Sequence, residues 1–168
     1  MRVLIVSDTH GRHGNFEKVY DKIGPVDMVL HAGDVCGEEE WFRKKVAEEL
    51  YMVRGNCDTS FDLPSKDVIA FGDKLIFLAH GHHYSVGYGP EEIADAAAAN
   101  GCDIAVYGHT HVPFDMEVGG VRVLNPGSLE RPRQGNGKPS FMILEMDDAG
   151  NMLCALNYLD AMGKIVHS

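Results

Sequence analysis

The stretch Tyr107-Gly108-His109-Thr110-His111 closes an apolar run, Ile104-Ala105-Val106-Tyr107, with two histidines one residue apart. Neutral imidazole is a ligand for zinc, manganese, nickel and iron. In a tight loop the two rings fan out, so each can serve a different ion of a close pair. A buried strand ending in a loop is also where α/β proteins build their sites.

Other apolar runs end in the same manner. Val3 to Val6 leads to Asp8 and His10, Met28-Val29-Leu30 leads to Asp34, Leu50 to Val53 leads to Asn56, and Leu75 to Ala79 leads to His80. Oxygen and imidazole donors mixed in this way, with no thiolate pair, suit two first-row divalent ions. Cations about 3.5 to 4 Å apart repel unless an anionic group lies between them. Asp34 is the natural bridge, because Gly33 and Gly37 let the chain turn sharply around it.

The ordered set Asp8-x-His10, Gly33-Asp34-x-x-Gly37, Gly55-Asn56-x-Asp58, His80 and Gly108-His109-x-His111 resembles that of the calcineurin-like metallophosphoesterases. Asn125-Pro126-Gly127-Ser128 is similar to the small YfcE-type phosphodiesterase branch. The resemblance implies Asp8, His10 and His111 on one ion, Asn56, His80 and His109 on the other, and Asp34 shared. It implies two divalent metals, manganese foremost, with nickel, zinc, iron and magnesium as alternatives. It further implies direct in-line attack on phosphorus by a hydroxide bridging the metals, with no covalent phosphoenzyme. Asp34, Asn56 and His82 are the expected catalytic residues, His82 because it stands two residues past a ligand, where it could face substrate.

Position 57 departs from the pattern, since larger relatives carry histidine where Cys57 stands. A thiol is a poorer general acid near neutrality than a tuned histidine. The expected consequence is a preference for diesters with good leaving groups, or protonation through water. Asp58 is expected to orient its loop or a ligand rather than bind metal, and His31 to pack at a strand end.

These residues need a scaffold, and the sequence outlines one. Helical spacing predicts helices over Asn15 to Ile23, after Glu38-Glu39-Glu40, and over Pro90 to Asn100. The trio Arg43-Lys44-Lys45 falls toward the middle of the second helix. Gly72-Asp73-Lys74 separates two apolar runs as a hairpin. Beyond residue 111 strands follow without helices, at Phe114 to Val118, Val121 to Leu124, Phe141 to Met146 and Met152 to Leu159, which predicts mostly antiparallel pairing. Gln134 to Pro139 reads as a loop of low order and Ala161 to Ser168 as a loose tail. The expected fold class is α/β, a two-sheet β-sandwich flanked by helices in four α/β/β/α layers, as one domain over residues 1–168.

The 168 residues carry a net charge of -10, with no dense Lys/Arg cluster, so a nucleic-acid patch is not expected. Any phosphate substrate then needs local positive charge, which bound metals would supply. Four scattered cysteines, no signal-like N-terminus and no long apolar run predict a reduced, cytoplasmic protein away from membranes. The expected partner is a small phosphodiester, and a homodimer or homotetramer is possible. Two alternatives stand beside the phosphodiesterase: a phosphomonoesterase or protein phosphatase on the same site, and a non-catalytic scaffold such as one eukaryotic sorting-complex subunit of this fold.

Overall fold

The computed structural model describes residues 1–167, arranged as β1 (Arg2–Val6), α1 (Gly14–Tyr20), β2 (Met28–His31), α2 (Glu39–Lys45), β3 (Glu49–Met52), β4 (Lys66–Phe71), β5 (Lys74–Ala79), α3 (Glu91–Ala99), β6 (Ile104–Val106), β7 (Phe114–Val118), β8 (Val121–Asn125), β9 (Ser140–Met146), β10 (Met152–Leu159) and β11 (Ile165–His167). One sheet runs β11-β10-β9-β1-β2-β3 and the other β4-β5-β6-β8-β7. The two sheets face each other, and the helices cover the outer faces. The expected four-layer α/β sandwich is the fold found.

Side-chain alternation along β1 shows how the layers form. Val3 and Ile5 point inward and join Ile69, Phe71, Ile76, Leu78, Ile104 and Val106 between the sheets. Leu4 and Val6 point outward against Phe16 and Val19 of α1 and Phe42 of α2. On the second sheet, Phe77 and Ala105 meet Ile93, Ala94 and Ala97 of α3. With every layer covering an apolar face, β1 to β3 pair in parallel and their carboxyl ends open on one edge of the sandwich.

The second half is mostly antiparallel, as expected, with β9 pairing both β1 and β10 in that sense. The exception is β8, which lies parallel to β6 because β7 pairs outside it. That arrangement brings the end of β8 beside the His109 loop.

Three local expectations need correction. The tail is not loose: Ile165–His167 forms β11 against β10, and His167 Nδ1 lies 2.6 Å from Asn157 Oδ1; Ser168 lies outside the described residues. Helix α2 ends at Lys45, so the basic trio occupies its last turn, where cations oppose the negative end of the helix dipole. The segment 134–139 is a built turn, in which Lys138 N donates to Asn136 Oδ1 and Gly137 N to Gln134 O.

Candidate metal centre

The carboxyl ends of β1, β2, β3, β5 and β6 converge, and all seven residues expected as metal ligands meet there in one network. His111 Nε2 lies 3.0 Å from Asp8 Oδ1 and 3.2 Å from His10 Nε2. His10 Nε2 is 3.8 Å from Asp34 Oδ2, and His80 Nε2 is 3.6 Å from Asp34 Oδ1. Asn56 Oδ1 lies 3.0 Å from His80 Nε2 and 2.9 Å from His109 Nδ1. Asp34 thus sits between the two groups.

The local backbone that achieves this is strained. Asp8, His10, Asp34, His109 and His111 all have φ between 48° and 66°, the left-handed region that non-glycine residues rarely occupy. On a regular strand His109 and His111 would lie side by side on one face. The coiled chain sends His109 to Asn56 and His111 to Asp8 instead. Each such residue costs on the order of 1 kcal/mol and persists only where surrounding contacts hold it.

Those contacts are specific. Asp58 accepts hydrogen bonds from Asp34 N (2.8 Å) and Gly55 N (2.7 Å) on Oδ2 and from Cys36 N (2.7 Å) on Oδ1. It orients the loop, as its place in the motif suggested. Ser7 Oγ and His109 N donate to Asp8 Oδ2, and Cys57 N donates to Asp34 Oδ1. Asn125 Nδ2 donates to Gly108 O, while Ser128 Oγ donates to Asp8 O and accepts from Arg131 N. Gly108 is required here, since a Cβ would stand 1.9 Å from Ser7 Oγ and 2.6 Å from Asp8 Oδ2.

Second-sphere carbonyls set the ring tautomers. His80 Nδ1 donates to Ala32 O at 2.7 Å, and His111 Nδ1 donates to Arg131 O at 2.6 Å. A neutral ring has one N–H, so Nε2 of each is left as a bare lone pair facing oxygen. Asp8 Oδ1 is buried with no hydrogen-bond partner although His111 Nε2 is 3.0 Å away. Two lone pairs that close call for a positive charge between them. The donor set therefore fits divalent cations, and three overlapping groups meet the spatial requirement: Asp8, His10 and His111; His10, Asp34 and Cys57; and Asp8, Asp34 and His80.

Charge balance follows the same arrangement. Burial pushes the Asp8 carboxyl up, but His111 and His80, when those rings carry a proton, and the Ser7 hydroxyl outweigh it and hold it below its ordinary value. Burial lowers His10 against the pull of Asp8 and Asp34, and lowers His109 with help from His80. His10 and His109 are thereby kept available as neutral donors.

His82 packs 5.4 Å from the His80 ring and 6.2 Å from the His109 ring, and its Nδ1 is buried without a partner. Burial and the neighbouring histidines push it down to about 4. His13 is directed elsewhere, stacked on Trp41 and paired with Glu38. His31 lies fully buried behind the site, with Nε2 3.0 Å from Thr9 Oγ1 and Nδ1 accepting from Gly33 N. Sequence reasoning missed Ser7, Thr9 and the carbonyls of Ala32 and Arg131. The carbonyls have no side-chain signature, whereas Ser7 could have been suspected from its place directly before Asp8.

Residues 1–149 match the calcineurin-like phosphoesterase superfamily domain. Phosphodiesterase YfcE of Escherichia coli is 32% identical over 172 residues, covering 88% of this chain and 89% of that protein. The probable metallophosphoesterase YsnB of Bacillus subtilis is 29% identical, over 88% of this chain and 86% of its own. Among solved structures, wild-type Vps29 of Entamoeba histolytica complexed with Zn2+ superposes with a TM-score of 0.82 at 30% identity, covering 100% of this chain and 97% of that one.

Proposed function

The chain belongs to the calcineurin-like phosphoesterase superfamily, and from that membership we propose that it is a cytoplasmic phosphodiesterase, one domain over residues 1–168, working with two divalent ions. On the nitrogen and oxygen donors alone, manganese is the first candidate for both. Asp8, His10 and His111 would hold one ion, Asn56, His80 and His109 the other, with Asp34 shared. Bound there, the ions would supply Lewis-acid charge toward phosphate oxygens and lower the pKa of water near neutrality.

The observation that carries this reading is the partnerless Asp8 Oδ1 facing a bare His111 Nε2 inside a cluster of donors fixed from behind. Such preorganisation is maintained at a cost in stability, which a purely structural cluster would not require. The chain's own groups then have distinct tasks. Asp34 is held by Cys57 N with Oδ2 left toward His10, and Asn56 presents its carbonyl oxygen between two imidazoles. His82, beside both His80 and His109, would meet a substrate oxygen. Net charge -10 makes a singly charged diester a better substrate than a dianionic monoester.

The likeness to Vps29, named for vacuolar protein sorting, favours a second reading as a metal-binding scaffold without turnover. One experiment separates the two. Metal-stripped protein is given Mn, Ni, Zn or Mg and assayed on a chromogenic phosphodiester and its monoester, with Asp34→Ala as control. Metal-restored diester cleavage absent from Asp34→Ala supports the enzyme. Metal binding without turnover for any ion replaces it with the scaffold.

A further inference from the structure

Cys57 is exposed at the edge of the centre, and its Sγ, a nitrogen of His10 and an oxygen of Asp34 lie within 4.8 Å of one another. Two donors on one ion stand no farther apart than the sum of their bond lengths, about 4.4 Å for nitrogen with sulfur. In tetrahedral coordination they stand about 3.5 Å apart, so side-chain adjustments of about an ångström bring the set onto one ion. Cys57 is anchored for this on both sides: its N–H donates to Asp34 Oδ1 at 2.8 Å, and Asn56 Nδ2 donates to its Sγ at 3.4 Å. Asp8 Oδ1, buried and without a hydrogen-bond partner, belongs to the adjoining donor groups that share His10 and Asp34 with this set, and marks that neighbouring position as short of positive charge.

We propose that Cys57 is itself a ligand of the metal centre, a thiolate that joins His10 and Asp34 on one ion and biases the site toward zinc and similar ions over manganese and magnesium. The proposal rests on the reading above that this cluster binds divalent cations. Thiolate ligands favour borderline and soft ions, whereas carboxylate and carbonyl oxygens suit manganese and magnesium, so one sulfur in an otherwise nitrogen and oxygen set shifts the order of preference. On binding, the S–H proton passes to solvent and a sulfur–metal bond forms, the usual fate of a coordinating thiol. As a ligand, Cys57 has no proton to give a departing alkoxide, which accounts for this residue type where an acid would otherwise serve.

The second nearby thiol provides the control. Cys36 Sγ lies 3.8 Å from His10 Nδ1, the ring nitrogen opposite the Nε2 that faces Asp8 and Asp34. Among the described residues it joins no group of three donors. Cys36 is thus behind the histidine rather than beside the ion.

The test is made on the metal-stripped full chain loaded with Co2+, comparing wild type, Cys57→Ser and Cys36→Ser. Cobalt content is measured directly, and the near-ultraviolet sulfur-to-cobalt charge-transfer band reports the bond. The expected result is a band in wild type and Cys36→Ser that disappears in Cys57→Ser while cobalt remains bound. Competition between Zn2+ and Mn2+ should then show the zinc preference of Cys57→Ser reduced by about tenfold or more. Bound cobalt with no band in wild type, or a band that survives in Cys57→Ser, overturns the proposal and leaves the phosphodiesterase reading standing. No bound cobalt in wild type overturns both.

Discussion

Removing the Asp58 carboxylate should unseat the centre without touching any expected ligand. Asp58 receives three backbone N–H groups, from Asp34, Gly55 and Cys36, at 2.7 to 2.8 Å. Hydrogen bonds to a charged acceptor contribute about 1.5–3 kcal/mol each, so a rigid, dry loop would lose roughly 4–9 kcal/mol. Asp58 is only half-buried, and water can replace part of this. The expected loss for Asp58→Ala is therefore about 3 kcal/mol, which for a chain of this size lowers Tm by roughly 6–12 °C. Asp58→Asn should lie between, because its amide keeps one acceptor oxygen but turns an N–H donor toward another donor. Asp34 holds φ at 58° and relies on these bonds, so metal affinity should fall about 10–100-fold as well. Urea and thermal unfolding of the metal-free proteins give the first quantity, and metal content after dialysis gives the second. An Asp58→Ala protein within 1 kcal/mol of wild type that still retains its metal would refute the reasoning.

Asp8→Asn should separate folding from metal binding: its amide oxygen can keep the bonds from Ser7 and His109 N while its NH2 donates to the bare His111 Nε2, so metal-free stability stays within about 1 kcal/mol of wild type but metal binding is lost, as calorimetric titration with Mn2+ would show. His31, fully buried, is pushed by desolvation from 6.5 down to about 4. Because its folded value lies below its unfolded one, the neutral ring's contribution is complete above 6.5 and is lost as pH falls from 6.5 through 4, by about 3 kcal/mol at most; His31→Gln should flatten the stability–pH curve in that window. Gly108→Ala places a Cβ 2.6 Å from Asp8 Oδ2, and diester turnover should drop by about 100-fold or more while the far sheet edge is unaffected, as hydrogen exchange can check. Cys57→His should weaken the dependence of diester hydrolysis on leaving-group pKa by restoring a group able to protonate the departing oxygen; an unchanged slope across substituted phenyl diesters would count against that role.

Much of the molecule was legible in the chain itself, for a physical reason. A strand covered on both faces must be apolar throughout, so Val3 to Val6 and Ile104 to Tyr107 announce themselves, and the polar residues that follow mark where the strands leave the core. Hence the parallel strands, the flanking helices and the seven candidate ligands could be named from order and spacing. The short β11 could not, because Ile165–His167 carries no alternation of its own and is a strand only through the bonds β10 offers it. Nor could the length of α2, whose end at Lys45 depends on the chain turning back toward β3. Within the site, residue types pointed to metal chemistry, but only the folded chain decided which nitrogen of each ring faces inward. That choice belongs to the carbonyls of Ala32 and Arg131, groups that every residue possesses, and distant segments must meet before one of them can select a tautomer.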